Sequence, residues 1–383
     1  MTALAGADLA PFVVGAAECE PGRSGGISPR RLPARTDAQH RDPMLSWLAR
    51  TPAGVRLRMA TTGTEVRLRL RTSTVQIAGG GPARPPVLTA FAGDARTTAT
   101  LPLGQVLELD EELRPVGRRP GEDAQVHIDA GPAAGGAIEL WLPHDRVVDL
   151  HQLDSDGDLT PVPDPAPRWL HHGSSISHGL EAPAPDLTWP AQVARSQGWH
   201  LGNLSFAGNA LLDSFVADQI AATEADLVTI KAGINIVGSD AVRERVLRPL
   251  WHSFLDTVRR GHPQTPVVVL TAIACPAVET RPGPIVTVAG RAAPASRAID
   301  QDAGALTLER TRQVAREVVA DRRHEDENLY LLEGTDLFSA ADAGRLYDGL
   351  HPDPAGLTLI AEKFPTALAD VLPTGRWPGR TSQ

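Results

Sequence analysis

Several ordinary ingredients are scarce in this 383-residue chain. There are two cysteines, Cys19 and Cys275. They form no CxxC pair and are too few to staple a chain of this length, which excludes a disulfide framework. Positive charge is short: 37 basic residues face 46 acidic ones, for a net charge of −9, and only Lys231 and Lys363 are lysines. A broad nucleic-acid-binding surface is therefore not expected. No apolar run approaches the roughly 18 residues of a membrane span, so no membrane partner is expected. The one N-terminal apolar patch, Leu9 to Ala17, follows Asp8, and the first basic residue is Arg23. A secretory signal has the opposite charge order, so the chain reads as cytoplasmic.

What is present is a globular composition, 42% hydrophobic and 22% charged. At a prior of about 150 residues per domain, the length suggests two domains. The first 40 or so residues, rich in Gly, Pro and Ala, read as an irregular wrap. From Val55, apolar and polar residues alternate through Met59. They alternate again from Val66 to Leu70 after Thr61-Thr62-Gly63-Thr64. Period two around a glycine turn predicts a β-hairpin whose arginines form a solvated face. Short strand-like pieces follow at Val87–Phe91, Thr98–Leu103, Gln125–Ile128, Ala137–Leu142 and Arg146–His151, with no helical stretch between them. They predict an all-β sandwich or jelly roll. Asp154-Ser155-Asp156-Gly157-Asp158 lacks the sixth-position Gly and twelfth-position Glu of a calcium loop, where Leu159 and Pro165 stand. It reads as an acidic turn, and no metal site is expected. Prolines at 161, 163, 165 and 167 predict a stiff connector, dividing an N-terminal domain (1–165) from a C-terminal one (166–383).

Beyond residue 168, strand-like runs alternate with helical ones. Strands are expected at Trp169–His172, Leu201–Phe206, Leu227–Lys231, Val267–Ala272 and Leu329–Leu332. Helices are expected at Leu187–Gln197, Leu211–Ala222, Ala241–Arg260, Gly304–Arg322 and Leu357–Val371. Five strands separated by helices predict an α/β domain with a five-stranded parallel sheet covered on both faces. Ligands bind such folds beyond the carboxyl ends of the strands.

Four strand-end loops carry residues suited to acyl transfer. Gly173-Ser174-Ser175 offers a hydroxyl at a helix start, where N–H groups face a developing oxyanion. Gly208 lets backbone approach a ligand, and Asn235 offers an amide donor. Asp348 and His351, three apart, can share a hydrogen bond that orients the imidazole as a base. Each loop alone is better explained as a turn, a helix cap or a chance spacing; what points to acyl transfer is the set of four. Among the remaining candidates, His171 and His172 point to opposite faces of a strand. His178 reads as a helix-surface residue, and Cys275 as a pocket liner rather than a nucleophile. Residues 275–298 read as a long Pro- and Gly-rich loop of the kind that forms lids or pocket walls.

Gly173-Ser174-Ser175, Gly208, Gly233-x-Asn235 and Asp348-x-x-His351 occur in the order of the SGNH hydrolases, also called GDSL esterases, and residues 168–372 resemble that family. The resemblance implies a flavodoxin-like three-layer domain. It implies Ser175 as nucleophile, His351 as base and Asp348 as its orienter. The implied oxyanion hole is formed by the N–H groups of Ser175 and Gly208 and the amide of Asn235, without a cofactor. Two positions depart from the family pattern: Ser174 and Ile236 stand where Asp is usual. A β-sandwich ahead of the hydrolase domain, the run Trp169–Gly179 and the loop Cys275-Pro276…Pro282-Gly283-Pro284 resemble one branch of the family, which includes acyltransfer onto a tetracycline-type polyketide. This implies a serine acyltransferase that moves an acyl group, aromatic and salicylyl-like in that branch, from an acyl-CoA thioester to a hydroxyl of a small polyketide-type metabolite in antibiotic biosynthesis. The alternative is an esterase or deacylase acting on small-molecule or glycan esters. Either way the partners are a small-molecule acyl donor and an acceptor.

Overall fold

The computed structural model describes residues 2–79, 81–133, 136–163, 167–297 and 303–373. Part of the proline-rich connector, 164–166, lies outside them. The chain divides into two compact units: Met1–Pro165 with Pro183–Asp186, and Ala166–Ala182 with Leu187–Gln383.

The first unit is built from an eight-stranded and a six-stranded sheet. Leu57, Met59, Leu88 and Leu140 of the smaller sheet share one core with Val66, Leu68, Leu70 and Leu150 of the larger. This is the expected sandwich. Among the described residues its strand pairs are antiparallel except that Ser73–Ile77 runs parallel to Gln105–Leu109.

The expected hairpin at 55–71 is not one. Arg56–Thr61 belongs to the smaller sheet and Glu65–Ile77 to the larger, so the turn between them crosses the sandwich. The acidic turn holds this crossing. Asp156 Oδ1 accepts the N–H groups of Thr64 and Glu65 at 2.8 and 2.9 Å, and Oδ2 accepts the Thr64 hydroxyl. Those bonds bring its carboxyl down to about 2. Nor are all the arginines solvated. Arg56 is buried, with its guanidinium 5.0 Å from the centre of the Trp141 ring.

The expected irregular wrap at the N-terminus is also corrected. Thr2–Ala5, Glu18–Pro21 and Ile27–Arg30 are strands of the larger sheet. Arg30 and Arg31 are fully buried there, which hides any apolar alternation. Burial is possible because Arg30 pairs with Glu20 and Asp37, while Arg31 donates to the carbonyls of Leu48 and Thr51.

The second unit is the expected α/β domain. Strands β1 (Arg168–His172), β2 (His200–Asn203), β3 (Leu227–Lys231), β4 (Val267–Leu270) and β5 (Leu329–Leu332) lie in the order β2-β1-β3-β4-β5, all parallel. This is the flavodoxin-like order, whose switch point falls where β1 meets β3. The helices are α1 (Ser175–His178), α2 (Trp189–Gln197), α3 (Ser214–Ala222), α4 (Ile234–Gly238), α5 (Glu244–Gly261), α6 (Leu308–Arg322), α7 (Gly334–Leu337) and α8 (Pro354–Val371). Both faces of the sheet are covered. Phe364 of α8 stacks on Trp169 at 5.1 Å, and Phe254 of α5 stacks on His172 at 5.9 Å on the other side. Several helices start later than the hydrophobic pattern suggests because the capping residue stays extended. Thr188 and Thr307 each accept an N–H of the first helical turn, from Ala191 and Arg310.

Residues 275–297, the described part of the long loop expected at 275–298, are not loop throughout. They contain an antiparallel hairpin, β6 (Ile285–Val288) with β7 (Arg291–Pro294).

Candidate active site

The chain leaves β1 through Gly173, and only glycine fits there. A Cβ would lie 2.6 Å from the Ser177 hydroxyl oxygen and 2.8 Å from its Cβ. The turn sets Ser174 extended as the cap and Ser175 as the first residue of α1. Ser175 Oγ lies 2.9 Å from His351 Nε2, and His351 Nδ1 lies 2.7 Å from Asp348 Oδ2. A carboxylate only accepts, so Nδ1 carries the hydrogen and Nε2 is left to accept from Ser175. The other oxygen of Asp348 accepts the backbone N–H groups of His351 and Leu350 at 2.7 and 2.9 Å. Burial pushes the Asp348 carboxyl up, but the His351 N–H, the imidazole and the Leu350 N–H outweigh it and hold it below its ordinary value. The carboxylate is thus kept charged and aimed.

The other two loops close around this row. Phe206 N–H donates to the Gly173 carbonyl at 2.9 Å, joining the loop after β2 to the serine loop. Gly208 follows at φ 72°, in a turn closed by Asn209 N–H on the Phe206 carbonyl. Gly233 caps α4 at φ 141°, ψ −60°, a region that side chains other than glycine's avoid. This turn brings Asn235 to the first turn of α4. Ala210 N–H donates to Asn235 Oδ1 at 3.0 Å, so the amide oxygen is identified by its donor and the NH2 end is left for another acceptor. All the site residues expected from the sequence therefore sit at the carboxyl edge of the sheet, on loops tied to one another. Such a set can move a hydroxyl proton to an imidazole and offer N–H donors to an oxyanion.

The remaining candidates resolve as follows. His171 and His172 do face opposite sides of the sheet, and both are buried. His171 Nδ1 bonds its cross-strand partner Thr229 at 2.6 Å, and burial drives its pKa well below normal. His172 bonds the Leu204 carbonyl at 2.7 Å, and burial brings it to about 4. His178 is fully buried rather than on a helix surface, because α1 is covered from Ile176 to His178 and only Ser175 stays partly exposed. Cys275 is buried, its thiol pushed up to about 11 by burial, and its Sγ donates to the Gly349 carbonyl at 3.4 Å. No group of three or more metal-ligating side chains occurs among the described residues.

Sequence reasoning missed three features. Lys231 ends β3 at 3% exposure, and burial lowers its ammonium to about 8. No carboxylate among the described residues pairs with it. Its only signal was a lysine inside an apolar strand. Ile236, after Asn235, lines a cavity of about 350 Å³ with Leu211, Leu212, Val242, Leu250 and Phe254. Tyr347 stacks beside His351, with ring centroids 6.2 Å apart and planes 25° from parallel.

A doubly wound sheet of this order, with Ser, His and Asp in hydrogen-bonded series at its carboxyl edge, defines an α/β acyl-hydrolase-type enzyme. Residues 168–280 match the GDSL-like lipase/acylhydrolase family. No curated protein matches it in sequence. Among solved structures it is similar to a salicylyl-acyltransferase, SsfX3, from a tetracycline biosynthetic pathway, with 24% identity, TM-score 0.77 and 99% of each chain covered. It is similar to a GDSL-like lipase from Bacteroides ovatus, with 18% identity, TM-score 0.63, and 97% of this chain and 98% of the other covered. A family two carbohydrate esterase from Clostridium thermocellum shows 16% identity, TM-score 0.52, and coverage of 82% and 90%. At these identities the likeness is one of fold. No helix among the described residues is long and apolar enough to cross a membrane.

Proposed function

We propose that the protein is a cytoplasmic serine acyltransferase that takes an acyl group from an acyl-CoA thioester and passes it to a hydroxyl of a small polyketide-type metabolite. The observation that carries the reading is the Ser175–His351–Asp348 series at 2.9 and 2.7 Å. Ser175 Oγ attacks the thioester carbonyl while its proton moves to His351 Nε2. The N–H groups of Ser175 and Gly208 and the Asn235 amide hold the oxyanion. Collapse breaks the C–S bond, and the His351 proton leaves with the thiolate. An acceptor hydroxyl then gives its proton to Nε2 and attacks the acyl-enzyme, and the returning proton restores Ser175. Asp348 stabilises the imidazolium in both halves.

Transfer rather than hydrolysis is supported by the likeness to the salicylyl-acyltransferase, which runs through both units of the chain. The N-terminal sandwich is then an accessory domain to the acyl-transfer unit. The second reading, ester hydrolysis at the same serine, is favoured by the likeness to the carbohydrate esterase. Intact-protein mass spectrometry after incubation with a panel of acyl-CoA thioesters tests the proposal. A mass increase equal to the acyl group, absent in Ser175→Ala and converted to ester on adding an alcohol, is expected. Release of free acid alone, whatever alcohol is present, would establish the esterase reading instead.

A further inference from the structure

Tyr347 has no part in the proton relay, yet it is half exposed beside it. Its exposure is 50%, and its ring stacks on the imidazole of His351. The loop that carries both is compact. Tyr347 N–H donates to the His351 carbonyl at 3.1 Å, Gly349 N–H to the Leu346 carbonyl, and Leu346 bridges Pro352. The hairpin braces it from the side, where Ala292 N–H donates to the Asp348 carbonyl at 2.7 Å. The same hairpin exposes Val286 and Val288 on one face. An exposed aromatic ring on so fixed a loop presents its surface to whatever approaches His351.

We infer that Tyr347 is the acceptor-binding platform and that it selects a planar, aromatic or polycyclic alcohol. The inference rests on the acyl-transfer reading above. The chemistry locates the acceptor: its oxygen must come within hydrogen-bond reach of His351 Nε2, the atom that takes its proton. The body attached to that oxygen then lies beside the ring stacked on the imidazole. An aromatic face favours a flat apolar partner through offset stacking and desolvation. A small alcohol reaches the same nitrogen without touching it. The acceptor oxygen forms the new C–O bond as the bond from the acyl carbon to Ser175 Oγ breaks, and the proton passes through Nε2 back to Ser175.

The test is a partition experiment on the full chain, with p-nitrophenyl acetate as donor and 2-naphthaleneethanol and methanol competing as acceptors. The ratio of the two esters reports the choice made by the acyl-enzyme and is independent of how fast it forms. Damage to His351 slows both acceptors alike and cancels in the ratio. The wild type is expected to favour the naphthyl alcohol. Tyr347→Ala is expected to lower the ratio about five- to tenfold, as the worth of an aromatic pair implies, and Tyr347→Phe to keep it. A ratio unchanged in Tyr347→Ala while total turnover falls would reduce Tyr347 to a prop for His351 and overturn the inference. Absence of any Ser175 adduct in the wild type is a different outcome, seen by mass, and would overturn the acyl-transfer reading together with it.

Discussion

Lys231 offers the sharpest test of the physical reading. It sits at the end of the central strand β3, 3% exposed, and burial lowers its ammonium from 10.5 to about 8. The unfolded chain therefore binds this proton more tightly than the folded one. Between pH 8 and 10.5 the unfolded state holds the extra proton, so the lysine's penalty fades as pH rises through that window. Below pH 8 the penalty is constant, at about 3 kcal/mol from the difference in pKa. Lys231→Met keeps the length of the side chain and removes the charge. Replacing a buried charge with an apolar side chain of similar volume often stabilises a protein. The variant should be more stable by about 3 kcal/mol at pH 7, which moves a urea midpoint up by about 1 M. The gain should disappear by pH 10.5. Tryptophan fluorescence suits the assay, because Trp169, Trp189, Trp199 and Trp251 all lie in the second unit. Equal midpoints at pH 7, or a gain that persists unchanged to pH 10.5, would refute the argument that burial is what depresses this lysine.

Other outcomes follow from the same geometry. Asn235→Ala should lower kcat by about 10²–10³-fold, the usual effect of losing one oxyanion donor, measured by steady-state release from an activated ester. Asp348→Asn should cost about 10⁴-fold near neutral pH, because the amide no longer holds the imidazole with Nε2 free; stopped-flow acylation reads it. Gly173→Ala should destabilise the second unit by about 1–3 kcal/mol, the usual range for overpacking, since its Cβ meets Ser177; thermal melts check it. Asp156 is held down to about 2, so what it contributes to the sandwich is present above pH 3.8 and lost as pH falls toward 2. Asp156→Asn should flatten that acid limb in pH-dependent circular dichroism.

The parts of the fold legible in the sequence were those where local pattern and tertiary role coincide. Strand and helix periods alternate beyond residue 168, and short loops follow each strand, so the carboxyl edge of the sheet could be located along with Ser175, Gly208, Asn235, Asp348 and His351. Alternation from Val55 to Leu70 identified which side chains face the core, yet it carries no information on which sheet a strand joins. The crossing at Thr61–Glu65 depends on Asp156, some ninety residues on. Arg56 was read as an outer residue, and the strand ending at Arg30 was read as irregular wrap, because sequence shows charge and hides the carboxylates, carbonyls and aromatic ring that satisfy it. The hairpin β6–β7 was missed because Pro, Gly and Ala resemble loop composition. His178 was misassigned because a one-turn helix has no period from which to tell its covered side.

Ser175 and His351 stand 176 residues apart, and a 2.9 Å hydrogen bond spans that gap. The serine leaves the ribosome long before its base does. A nascent chain with β1 to β4 in place still lacks His351, so Ser175 is there an unactivated alcohol. Competence arrives in one step, when the segment between β5 and α8 docks. The loop from Leu346 to Pro352 is thus the arming step of the fold, because it carries the imidazole and its carboxylate to a hydroxyl already set in place by β1.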